Sequence, residues 1–168
     1  MDNVNPINPA EAVIAPAADP ARRDRMIVRA SLIVLVLAIL VSGYLSYLKL
    51  SNESAVCVQG SVFDCGVVLN SIYSEVAGIP IAWLGLATNL LVVGLLVLES
   101  RIGLLRNYGP ALVFGVVLFA FLYSVYLVYL QAFVIGAFCP WCLTHEALIA
   151  VLFGLALWRL LRWQSQTE

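Results

Sequence analysis

The chain has 168 residues, 62% of them hydrophobic and 11% charged, with a net charge of -1. Soluble domains are roughly 45–50% apolar and roughly 25% charged, so a soluble fold of this size could not hide so much apolar surface. The near-neutral balance excludes nucleic-acid binding built on bulk positive charge, and the bilayer is the expected solvent.

Residues 1–25 read as a disordered cytoplasmic tail. Met1 to Pro20 is rich in Asn, Pro and Ala and has no apolar period. Arg22, Arg23, Arg25 and Arg29 then lead into the first apolar run. A membrane-crossing helix needs about 20 mostly apolar residues. Four stretches qualify, at roughly 27–48, 79–98, 110–135 and 141–161. The first is longer than the apolar core of a cleaved signal peptide, which runs about 7–15 residues, so it is expected to be retained. The run Leu32–Val41 lacks the alternation of a membrane barrel strand. The expected fold is an all-α integral membrane protein, a four-transmembrane-helix bundle over residues 26–162. Residues 163–168 form a second cytoplasmic tail.

Lys and Arg set the orientation. Arg101 and Arg106 lie between the second and third spans, and Arg159 and Arg162 lie at the C-terminal end. With the four Arg of the tail, they fall on one side of four spans. The other side carries only Lys49. Both termini are therefore expected in the cytoplasm, and the loops 51–78 and 131–138 outside. All four cysteines then share the outer side, where disulfides persist. Four cysteines allow three connectivities, and these stay open here.

In the first outer loop, Asp64 is placed to cap a short helix after Cys65. Val67, Val68, Leu69, Ile72 and Val76 give it an apolar face, and Gly78 and Pro80 end it. The segment between Cys57 and Cys65, with a turn at Gly60 and Ser61, reads as a mobile loop; a static disulfide staple is the rival. Gly43, Gly85, Gly94, Gly115 and Gly154 fall inside spans and suggest close helix approach. Tyr123, Tyr126 and Tyr129 recur every three residues. They suit an interfacial aromatic anchor or, at Tyr126, the wall of a ring-shaped ligand site.

The chemistry concentrates in Cys139-Pro140-Trp141-Cys142. Thiolate is the nucleophile, and its pKa falls at helix N-termini and in C-x-x-C motifs. Cys139 sits at the expected start of the fourth span, and Pro140 suits the first turn. Unpaired N–H groups and the helix dipole favour negative charge there. His145 and Glu146 follow by one turn. Ionisable residues inside a span mark function by default: they either snorkel or handle protons beside Cys142. A zinc site from Cys139, Cys142, His145 and a loop cysteine is a further alternative. A c-type haem site is excluded, because Leu143 follows Cys142 where His is required. Two pairs on one side can pass electrons by thiol–disulfide exchange. The loop pair would meet a soluble partner, and the helix pair something dissolved in the bilayer.

With these residues in place, the chain resembles the vitamin K epoxide reductase family, in particular its bacterial homologues. The resemblance rests on Cys57, Cys65, Ser71, Gly78-Ile79-Pro80 and Cys139-Pro140-Trp141-Cys142, and spans roughly residues 26–161. It implies a bundle around a quinone, ubiquinone or menaquinone, under a lid formed by the first loop. It implies that Cys142 contacts the quinone, with Ser71, Glu146 and Tyr126 as candidate binding residues. It further implies that Cys139 takes electrons from Cys65 through a transient bond, and that Cys57 exchanges with a periplasmic DsbA-like, thioredoxin-like protein. Some bacterial relatives carry that partner as a fused domain; here it is expected in trans. Vertebrate members have Tyr where this chain has Glu146, so the resemblance implies quinone reduction serving disulfide formation in a bacterial inner membrane rather than vitamin K epoxide reduction. A DsbB-like oxidase orders its cysteine pairs in reverse. A membrane protein with static disulfides is the alternative outside enzymes.

Overall fold

The computed structural model describes residues 20–51, 57, 63–99 and 101–165. The expected tail at 1–19, the turn at Gly60 and Ser61 and residues 166–168 lie outside the described residues. Among the described residues there are five α-helices: α1 (Pro20–Ser51), α2 (Cys65–Leu69), α3 (Ile81–Leu98), α4 (Gly103–Tyr129) and α5 (Pro140–Gln164). Four of them are long and apolar enough to cross a membrane. The protein is a multi-pass membrane helix bundle.

Helix is the required solution for such runs, because lipid offers no partner to a free backbone N–H or C=O. In α1, Leu35, Ala38, Ser42 and Leu45 face inward at steps of three and four, while Ile33, Val36, Leu37 and Leu40 face outward. The inward serines satisfy themselves: Ser42 Oγ donates to the Ala38 carbonyl at 2.8 Å and Ser46 Oγ to the Ser42 carbonyl at 2.7 Å. Leu35, Val92, Leu96, Val113, Val117, Leu152 and Ala156 then pack as one core joining α1, α3, α4 and α5.

Several boundaries differ from expectation. α1 reaches back to Pro20, so residues 20–25 are helical, and the membrane-length stretch begins at Arg22. The cause is Asp24, whose carboxylate binds Arg159 of α5 at 2.9 Å. Likewise α5 continues to Gln164, past the expected limit at 162. The third span ends in a π-helical turn at Leu130–Ile135. The second span is preceded by a small antiparallel hairpin, β1 (Glu75–Val76) with β2 (Ile79–Pro80). Its two turn residues, Ala77 and Gly78, have positive φ of 52° and 80°, as the tightest hairpin turns demand. Of the span glycines singled out above, only Gly85 has a neighbour within contact distance of a built Cβ, the His145 ring. The others admit no unusual approach.

The two ends of the bundle are built differently. At one end Arg159, buried in α5, makes paired hydrogen bonds to Asp24 of α1 and to Glu99 just after α3, the shortest being 2.6 Å to Glu99 Oε1. Gly109 of α4 lies against the Glu99 side chain, where a Cβ would fall 2.8 Å from Cδ. At the other end the segment from Cys65 to Pro80 caps the bundle. Lys49, near the end of α1, holds it by donating to the Leu69 carbonyl at 3.0 Å and pairing with Glu75 at 3.2 Å.

Candidate active site

Local chemistry places each cysteine. Asp64 caps α2 as expected, accepting from the Val67 N–H at 3.1 Å. The Asp64 N–H in turn donates to the Phe138 carbonyl at 3.1 Å, and Phe63 bridges Phe138 in parallel. That contact ties the start of α2 to the residue before Cys139. Cys65, Val68, Ala137 and Cys139 therefore share one buried cluster, with Cys57, Trp141 and Cys142 packed on it. All four cysteines meet at one end of the bundle. Cys57 and Cys65 are joined as a disulfide, and Cys139 and Cys142 are free thiols. Among the described residues, no group of three or more His, Cys, Asp or Glu side chains is placed to hold a metal ion.

Cys139 is the N-cap of α5, with Pro140 in the first turn. It is fully buried. Its backbone N–H donates to Gln131 Oε1 at 2.9 Å. Gln131 comes from the π-helical turn, where such irregularities often serve function. The Cys142 thiol donates to Cys139 and pulls its pKa down to about 7. Burial opposes this, and the Cys142 and Trp141 N–H groups of the first turn assist it. Trp141 is held against Tyr44 of α1, with ring centroids 4.9 Å apart.

Beneath the cap lies a cavity of about 500 Å³ lined by residues of α1, the cap, α3, α4 and α5. Its walls are mostly aliphatic, and the polar groups among them include Asn89, Tyr123, Gln131, Cys142, His145 and Glu146, with Ser71 and Lys49 on the cap side. Leu84, Leu91 and Phe119 line it and also face outward from α3 and α4. Asn89 Nδ2 lies 3.1 Å from His145 Nε2 and donates to Ser42 Oγ at 3.4 Å. An amide nitrogen only donates, so His145 meets Asn89 through Nε2 as acceptor, and Nδ1 is its other ring nitrogen. That nitrogen faces Glu146 Oε1 at 3.9 Å. Glu146 is 8% exposed, and its Oε2 has no hydrogen-bond partner among the described residues.

The chain matches the model of the vitamin K epoxide reductase family over residues 29–157. It belongs to that family. Membership, together with four apolar spans, makes it a membrane thiol oxidoreductase.

Against the family's expected site residues the geometry is selective. Cys142, Glu146 and Ser71 line the cavity. Ser71 Oγ donates to the Val68 carbonyl at 2.9 Å, which fixes the end of α2. Tyr126 does not line the cavity and is half exposed; Tyr123, three residues earlier, takes the place expected of it. Three residues at about 100° each leave the two side chains about 60° apart around the helix axis, so Tyr126 falls beside the cavity wall, on the outward face. The apolar face expected after Cys65 is likewise reduced to Val68 and Leu69, since Val67 and Ile72 are exposed. Sequence reasoning missed Asn89 and Gln131. The available signal was a lone amide in each apolar run, since a polar residue in a span needs an internal partner.

Proposed function

We propose that the protein is a thiol–quinone oxidoreductase that reoxidises a DsbA-like, thioredoxin-like dithiol protein and delivers its electrons to a membrane quinone. The observation that carries this reading is the convergence of an oxidised loop pair, a reduced helix pair and an apolar cavity in one cluster. The residues present fit a quinone. The cavity volume lies in the usual ligand range of about 300–1,000 Å³, its wall is aliphatic, and unpartnered Glu146 Oε2 and the Asn89–His145 pair offer polar contacts. Outward-facing Leu84, Leu91 and Phe119 give a bilayer-dissolved molecule a lateral way in. A bound quinone supplies the acceptor for two electrons and two protons.

The chain's own steps balance. A partner thiolate attacks Cys57, breaks the Cys57–Cys65 bond and frees Cys65 as thiolate. The partner's second thiol resolves that mixed disulfide and leaves oxidised. Cys65 next attacks Cys139 of an oxidised helix pair and frees Cys142. Cys57 then attacks Cys65, restoring the loop disulfide and releasing Cys139. The low thiol pKa of Cys139, about 7, makes it the better leaving group in this step. The helix dithiol now holds the electron pair. Cys142 is the sulfur on the cavity wall, and the Cys139–Cys142 bond re-forms as the pair leaves.

We further place the protein in a bacterial inner membrane with both termini in the cytoplasm and the cysteines in the periplasm. Arg22, Arg23, Arg25 and Arg29 crowd the end of the bundle opposite the cysteines, whereas Lys49 is the cation of the cysteine end. The relay is tested by trapping. In the Cys57→Ala/Cys142→Ala variant, oxidation is expected to join Cys65 to Cys139 within one chain, read by non-reducing peptide mass spectrometry. Two free thiols after oxidation of the folded variant would overturn the relay.

A further inference from the structure

Glu146 stands out among the buried groups that the relay leaves unused. It is more than nine-tenths buried inside a span, and one carboxylate oxygen has no hydrogen-bond partner among the described residues. An unpaired carboxylate in such a place costs several kcal/mol in general, so a residue with no task there is hard to account for. Its nearest basic group, His145 Nδ1, stops 3.9 Å short of Oε1, beyond hydrogen-bond range. His145 is held back by Asn89 on its far nitrogen. Gly85 makes room for it, since the ring lies 3.5 Å from where a Cβ would stand.

Glu146 is four residues after Cys142, so the two share one face of α5. Both line the cavity, and Glu146 is within electrostatic reach of Cys142 and of Tyr123 on α4. The titratable groups on this wall are thus Cys142, His145, Glu146 and Tyr123, with Lys49 and Tyr73 on the cap side. Of these, Glu146 combines a buried oxygen that has no hydrogen-bond partner among the described residues with a place one turn from the reacting sulfur. Lys49 is engaged by Leu69, Ser74 and Glu75.

We propose that Glu146 is the proton carrier of the helix pair: it receives the proton that leaves Cys142 as the Cys139–Cys142 bond forms, and passes it to an oxygen of the quinone in the cavity. The inference rests on the quinone reading above. Two thiols lose two protons and one electron pair in forming the disulfide. The electron pair and one proton, by way of Glu146, go to the quinone. The second proton, from Cys139, leaves to solvent and is matched by one taken up at the other quinone oxygen. His145, fixed by Asn89, stays beyond hydrogen-bond reach of Glu146 and leaves the carboxylate free for this task.

The test uses the full chain in detergent, with a short-chain ubiquinone and a naphthoquinone as probes, and compares wild type with Glu146→Gln and Glu146→Asp. Glutamine keeps the shape and cannot carry the proton. General acid–base groups contribute roughly 10²–10⁴-fold, so kcat of Glu146→Gln is expected to fall by roughly 100-fold or more. Its KM is expected to change little, and quinone binding to the disulfide form, read by tryptophan quenching, is expected to match wild type. Glu146→Asp, which keeps the acid, is expected to recover part of the loss, and the solvent deuterium effect of wild type is expected to change in Glu146→Gln. An unchanged kcat in Glu146→Gln overturns the proposal. So does a loss confined to KM and to quinone binding, which would make Glu146 a binding group only. An inactive wild type would instead bring down the quinone reading itself.

Discussion

Cys139 shows how one residue's setting becomes a redox property. Its thiol is held near 7 by a hydrogen bond from Cys142 and by the first-turn N–H groups, against an ordinary value of about 9. Between those values the reduced pair binds one proton fewer than two ordinary thiols would. Below pH 7, reduction of the pair takes up two protons; above it, one. The potential of the Cys139–Cys142 pair is therefore expected to fall by roughly 60 mV per pH unit below pH 7 and by roughly 30 mV above it. Equilibration in redox buffers followed by alkylation and mass analysis reads this slope, and a break displaced to about pH 9 would contradict it. The sign for stability follows from the same shift. A depressed thiol pKa stabilises the reduced fold fully above about 9, and that gain is lost as pH falls through about 7. The N-cap position of Cys139 was legible in the sequence from Pro140 and the apolar run after it. The Gln131 contact was not, because it depends on a π-helical turn that no periodicity announces.

Among the elements, the spans were the most legible, since about 20 apolar residues have one solution in lipid. The cap was less so. Its helix start was readable from Asp64, but the hairpin at 75–80 was not, because its strands are two residues each. The cap is small, and a few polar contacts position it: the Asp64 cap, the Asp64–Phe138 backbone bond and the Lys49 contacts to Leu69 and Glu75. Loss of an N-cap carboxylate costs about 0.5–2 kcal/mol. Asp64→Ala is therefore expected to speed amide hydrogen exchange across residues 65–70 by several-fold while leaving α3 and α5 unchanged. Equal protection in variant and wild type would mean that packing of Val68 and Cys65 alone holds α2.

At the scale of the whole molecule, the bundle is pinned at the end opposite the cysteines. Arg159 binds Glu99 and Asp24, drawing together α1, α3 and α5, with Gly109 of α4 seated on Glu99. The partners are 60 and 135 residues from Arg159 in the chain. Local sequence therefore presents Arg159 as one more charge flanking a span. Removing Arg159 leaves the buried Glu99 carboxylate unpaired, and breaking such a buried pair costs roughly 3–5 kcal/mol, whereas Asp24 is half exposed and adds little. Arg159→Met is expected to lower the thermal stability of the detergent-solubilised protein sharply, with the change shared by all four spans. Gly109→Ala is expected to act in the same direction by displacing Glu99. A neutral Arg159→Met would show that apolar packing around Leu35, Val92 and Leu152 fixes the bundle without the ions.

The most direct test of the electron path follows quinone absorbance while the purified protein is supplied with a reduced DsbA-like protein. Wild type is compared with Cys142→Ala, using a short-chain ubiquinone and a naphthoquinone in turn. Turnover by wild type and its loss in Cys142→Ala is the expected result, and it would set Cys142 between the thiol partner and the quinone. A well-folded wild type that bleaches neither quinone, or a Cys142→Ala variant that bleaches one at the wild-type rate, would contradict a path through the helix pair.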